Sequence, residues 1–143
     1  MGLMKEMMKE IGNKSREFYE FVLPAIDMHL TDENLKVIID IPGFSKKDIK
    51  LTLCGDILSI KAKKVIDEKD SKTLISNQRP NMINKKIRLP IEIKEGEEKI
   101  ESAKYEDGVL VLVIPVTKKS KNITIEYSNI FVIMQIFPLQ FQN

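Results

Sequence analysis

Hydrophobic and polar positions change rhythm once, sharply, near Pro24. Before it, Met4, Met7, Met8, Ile11, Phe18 and Val22 recur mostly at helical spacing, with Lys5, Glu6, Lys9, Glu10, Lys14 and Arg16 mostly elsewhere. This spacing predicts an amphipathic helix over residues 3–22, with Gly12-Asn13 as a point where it can break in two. After Pro24 the period becomes two. Strands are predicted at 27–30 and 35–41, the second with Leu35, Val37, Ile39 and Ile41 on one face, and Asp32-Glu33-Asn34 as the turn between them. Pro42-Gly43 closes the second strand. A third follows with Ile49, Leu51 and Leu53 on one side, then Gly55-Asp56 as a turn into a fourth carrying Leu58, Ile60 and Ala62. Such alternation implies sheets with one buried side.

Residues 65–80 are polar except for Val65, Ile66, Leu74 and Ile75, a connection long enough to suggest a role of its own. A fifth strand, 82–89, stops at Pro90. The strongest local signal comes next. Asp107-Gly108 is a hairpin turn, because both residues tolerate the positive φ that a type I′ turn demands. It joins a half-wet strand over 100–105 to the aliphatic run 109–114, which reads as a strand buried on both faces and ended by Pro115. Strands at this spacing, with no helical pattern between them, specify an all-β, immunoglobulin-like antiparallel β-sandwich. The expected division is an arm over 1–24, the sandwich over 25–117 and a C-terminal extension over 118–143.

Composition narrows the classes of function. A chain of 143 residues has room for one domain with short arms. Its 23 basic and 21 acidic residues give a net charge of +2, so no global field steers it to nucleic acid, and no basic face with interleaved aromatics is visible. The lone Cys54 excludes an intrachain disulfide and fits a reducing compartment, which makes the cytoplasm the expected location. Charges every few positions near the start leave no apolar core for a signal peptide, and Glu6 occupies the Ser/Thr position of a myristoylation signal. His29 and Cys54 are each single, the six glycines form no phosphate loop and no metal-ligand spacing appears. No catalytic residue, metal or cofactor is therefore expected.

Three motifs then fall in order. Asp40-Ile41-Pro42-Gly43-Phe44, with Lys47-Asp48-Ile49 after it, resembles the first signature of the α-crystallin domain of small heat-shock proteins. Residues 103–110, with Asp107-Gly108-Val109-Leu110, resemble the second, and Ile123-Thr124-Ile125 the Ile-x-Ile/Val motif of the C-terminal extension. The resemblance spans roughly 27–125 and is nearest the archaeal or bacterial branch. It implies an ATP-independent holdase that binds unfolded client proteins and assembles as a large homo-oligomer of dimers. A monomeric co-chaperone sandwich, docking on an ATP-dependent chaperone, is the alternative, and would lack both the tail anchor and the long loop.

The resemblance also implies roles for residues. Ile123 and Ile125 would enter a groove on a neighbouring sandwich, formed by Ile49, Leu51 and Leu53 with Ile100 and Ala103. The 65–80 segment, with Leu74 and Ile75 and with Arg79 at its return, would be exchanged between partners to pair with a sheet edge. From the residues alone, an eighth strand is the lesser alternative for Ile123-Thr124-Ile125, given the Lys118-Lys119-Ser120-Lys121 linker before it. The arm bearing Met4, Met7, Met8, Ile11, Phe18 and Val22 can be a surface for clients and assembly or a helix packed on its own domain. Residues 127–143 hold no charge and include Phe131, Phe137 and Phe141, a departure from the family. They read as an extra docking segment, an added client surface or an extension without a role. Residues 130–134 are too short to span a bilayer, so no stable membrane insertion is expected.

Overall fold

A computed structural model of the chain describes residues 2–116. The order is helix α1 (Gly2–Val22), strands β1 (Ala25–Leu30), β2 (Asn34–Asp40), β3 (Ile49–Cys54) and β4 (Ile57–Lys63), helix α2 (Glu68–Thr73), then β5 (Met82–Arg88), β6 (Ser102–Glu106) and β7 (Val109–Pro115). All strand pairs are antiparallel, in one sheet ordered β1-β2-β7-β6 and another ordered β3-β4-β5. The sandwich core lies between them.

Alternation in the sequence becomes burial. Leu35, Val37 and Ile39 from β2 and Leu58 and Ile60 from β4 are wholly inaccessible, and Leu110, Leu112 and Ile114 join them from β7. Contrary to expectation, β7 is not buried on both faces: Val109, Val111 and Val113 are only half-buried. The sandwich has two layers, so one face of a central strand meets the opposite sheet and the other points outward. Asp107 and Gly108 both have positive φ, 51° and 79°, as the hairpin requires. A side chain at Gly108 would also strike Pro42, with a Cβ 3.0 Å from its Cα, so the hairpin tip and the turn after β2 pack backbone to backbone.

Three other features differ from expectation. The 65–80 segment contains α2, a six-residue helix with no buried residue. α1 does not break at Gly12-Asn13; Gly12 is buried, and a Cβ there would sit 2.6 Å from Ser76 Oγ and 3.0 Å from Asn77 N. The glycine serves a close contact rather than a kink. Finally, β6 begins at Ser102, leaving Ile100 in the segment before it.

Glu98 fastens that segment to the β3–β4 turn. Its carboxylate accepts the Gly55 N–H at 2.7 Å and the Gly96 N–H at 2.9 Å. These bonds favour the charged form and hold the carboxyl below its ordinary value, chiefly through Gly55 and then its own N–H, against an opposing desolvation effect and with a lesser contribution from Gly96. A lowered carboxyl adds stability above the unfolded pKa and loses it as pH falls through the folded one. Glu98→Gln is therefore expected to lower the melting temperature at pH 7, with the gap to the parent closing below the usual glutamate range. A gap of constant size from pH 7 to pH 3 in thermal melts would contradict this.

Candidate functional site

β3 and β6 are edge strands of opposite sheets, and their neighbouring edges leave a groove along one side of the sandwich. It has a volume of about 190 Å³ and is lined by Lys46, Ile49, Leu51, Ala103, Tyr105 and Leu110. This is below the roughly 300–1,000 Å³ of a typical small-molecule pocket. Mostly aliphatic walls, with one tyrosine ring and one ammonium among them, suit a few branched side chains. The Tyr105 hydroxyl bridges the carbonyl oxygens of Phe44 at 2.7 Å and Ile41 at 3.1 Å, tying β6 to the loop that enters β3.

Of the groove residues named from the sequence, Ile49, Leu51 and Ala103 come together on its walls. Leu53 is half-buried further along β3, packed against the core, and Ile100 is exposed; neither lines the groove. Tyr105 and Leu110 were missed. Both were readable, since Tyr105 lies two residues after Ala103 on one strand face and pairs with Leu110 across the hairpin. Ile123 and Ile125, expected from the sequence to be the tail anchor, lie outside the described residues.

The arm forms the second part of the site. α1 meets the body through Gly12 and its polar side: Glu20, paired along the helix with Arg16 at 3.5 Å, accepts the Asn81 N–H at 3.0 Å, and Lys85 Nζ donates to the Val22 carbonyl at 3.3 Å. Its apolar stripe is therefore left outside. Met4, Met7, Met8, Ile11, Phe18 and Val22 are all exposed, and so are Leu3 and Phe21, the latter at 81%. Phe21, three residues after Phe18, was missed although it extends the same surface.

The third part is an edge. β1 borders its sheet with only β2 beside it, and of its residues only Ile26 is half-buried. Leu74 and Ile75 are exposed on the 65–80 segment, and Arg79 lies at its return beside the Pro42-Gly43 turn. Cys54 and His29 are exposed, and among the described residues no three His, Cys, Asp or Glu side chains come close enough to hold a metal. No helix among them is long and apolar enough to cross a membrane.

Comparison with known proteins fits this geometry. Two mutants of hsp14.1 from Sulfolobus solfataricus P2 share the fold. A deletion mutant is 42% identical with a TM-score of 0.61, over 71% of this chain and 81% of that one. A point mutant is 38% identical with a TM-score of 0.64, over 85% and 97%. Small heat shock protein C2 of Rickettsia felis is 27% identical over 77% of each chain, and a probable 15 kDa heat shock protein of Leptospira interrogans is 28% identical over 72% of this chain and 77% of that protein. The model of the Hsp20/alpha crystallin family matches residues 27–128, most of the chain, so the protein belongs to that family of small heat-shock chaperones.

Proposed function

We propose that the protein is an ATP-independent holdase, which covers apolar surface of unfolding clients and stores its own in an oligomer built from dimers. The observation that carries this reading is the orientation of α1. A helix with a broad apolar stripe normally turns it to the core, whereas here the polar side faces the sandwich and the methionine-rich side faces outward. Contiguous apolar surface of that kind marks a binding surface. Methionine suits partners of varied shape because its side chain is flexible and polarizable.

Assembly uses the other two parts. Ile123 and Ile125 are separated by one residue, so an extended chain would present both to one side, and they dock in the β3/β6 groove of a neighbour. Leu74 and Ile75 are covered when the 65–80 segment adds to the open β1 edge of a partner, which also removes an unpaired strand edge. The division into arm over 1–24, sandwich over 25–117 and extension over 118–143 follows from these roles. Such a device has no need of a cofactor and fits a cytoplasmic stress response.

The test is light scattering of a heat-labile protein, warmed without nucleotide and with increasing amounts of the full chain. Suppression of scattering near equal subunit ratios is expected, with loss of suppression in a variant carrying Met4→Ser, Met7→Ser, Ile11→Ser and Phe18→Ser. Unchanged precipitation with the parent protein sinks the proposal.

A further inference from the structure

Lys64 directly follows β4 and Arg79 stands three residues before β5, so the two cations occupy opposite ends of the 65–80 segment. The neck of that segment is closed by the Lys64 N–H, which donates to the Asn81 carbonyl at 2.8 Å. Both side chains reach over the Pro42-Gly43 turn. A Cβ at Gly43 would lie 2.6 Å from Arg79 Nη2 and 3.1 Å from Lys64 Nζ, so guanidinium and ammonium converge on the space a side chain would fill. Gly43, at a φ of 84°, lets both head groups pack against the backbone there.

Like charges this close repel, and a pair that nothing neutralises is a cost the fold does not ordinarily carry. Among the described residues, the ion pairs are Lys14 with Glu10, Arg16 with Glu20 and Arg88 with Asp56; no carboxylate reaches Lys64 or Arg79. Lys64 Nζ instead lies 5.0 Å from the centroid of the Phe44 ring, which offers a weak attraction on one side. Burial, and then the charge of Arg79, push the Lys64 pKa below its ordinary value.

We propose that the neck of the 65–80 segment is an oxyanion site for a phosphate dianion, with Lys64 and Arg79, brought together against Gly43, as donors. The charge count selects the ligand class. A single carboxylate held by the guanidinium leaves the ammonium unbalanced, whereas a dianion matches both cations and its tetrahedral oxygens can accept from both nitrogens at once. Bound there, the anion ties both ends of the segment to the turn after β2. The site is thus placed to set how freely that segment leaves its own subunit. Anion binding itself goes beyond the holdase reading and does not rest on it, whereas its effect on release of the segment rests on the exchange proposed above.

The experiment is calorimetric titration of the full chain with inorganic phosphate in a zwitterionic buffer, with chloride holding ionic strength constant. Acetate and ATP form parallel arms. Saturable phosphate binding is expected, weakened about tenfold or more in Arg79→Gln and in Lys64→Gln, since each loses a charge-assisted hydrogen bond. Arg79 is exposed, so its variant tests the site without disturbing the core. Displacement of phosphate by ATP identifies a nucleotide's terminal phosphate as a source, and failure of ATP to compete restricts the site to the free anion; both support it. Three results overturn the proposal: phosphate heats no larger than those of chloride, acetate bound as tightly as phosphate, or Arg79→Gln retaining the parent affinity.

Discussion

The double variant Ile123→Ala/Ile125→Ala is expected to fall from a large oligomer to dimers at micromolar concentration. The groove between β3 and β6 presents Ile49, Leu51, Ala103 and Leu110 to an incoming side chain. Burying two isoleucines there is worth roughly 3–6 kcal/mol before the cost of ordering the tail is subtracted. What remains is a weak contact for one anchor. Repeated around a closed assembly it becomes a strong one, because each further anchor binds at high effective concentration. Loss of the contact from every subunit therefore has an effect much larger than that of one contact. Native mass measurement with light scattering reads the outcome, and a variant that keeps the parent mass would remove the tail from the account of assembly. The dimer should survive, since the β1 edge and the 65–80 segment are untouched.

Legibility in the sequence followed the contrast between faces. β2 and β4 alternate apolar with polar residues except at Ile38 and Ile57, so Leu35, Val37, Ile39, Leu58, Ile60 and Ala62 could be assigned to the core one by one, and all are buried. β7 offers no such contrast. With every position from Val109 to Ile114 aliphatic, only the partner sheet decides that Leu110, Leu112 and Ile114 face inward. α2 had no apolar period to read because it buries nothing. Its one signal was Asp67 at the cap, with Glu68 and Asp70 in the first turn and Lys72 in the last. Gly12 misled because its neighbour is tertiary: residues 76 and 77 are far away in sequence and lie against it.

The candidate site divides along the same line. Ile49, Leu51 and Ala103 could be placed in a groove because a family resemblance supplied which edges meet, and the alternation supplied which side chains point there. Tyr105 and Leu110 required the hairpin register as well. The outward turn of α1 was left open by the sequence, since an amphipathic pattern reports a stripe and not what lies against it. The convergence of Lys64 and Arg79 on Gly43 had no sequence signal at all. Fifteen positions separate the two cations, and closure of the segment's neck brings them together.

Replacing Leu112 with alanine is expected to destabilise the subunit by about 3–5 kcal/mol, against less than about 1.5 kcal/mol for Val111→Ala one position earlier. Leu112 lies at the middle of β7, wholly inaccessible, between Val37 of β2 and Ala103 of β6 in the strand register. Truncation removes three carbons from a region where the opposite sheet contributes Leu58 and Ile60, and a two-layer sandwich held by both ladders closes poorly around the void. Val111 points outward, where water and neighbouring side chains fill the space it leaves. Domains are stable by only about 5–15 kcal/mol, so the Leu112 change can consume most of the margin. Assembly adds to apparent stability, and the comparison belongs in the Ile123→Ala/Ile125→Ala background, at one protein concentration. Urea unfolding should then show a lower midpoint with an unchanged slope for Leu112→Ala and a nearly parental curve for Val111→Ala. Equal losses at the two positions would mean that the outer face of β7 is covered in solution by a layer absent from the single sandwich, and that a neighbouring subunit packs there.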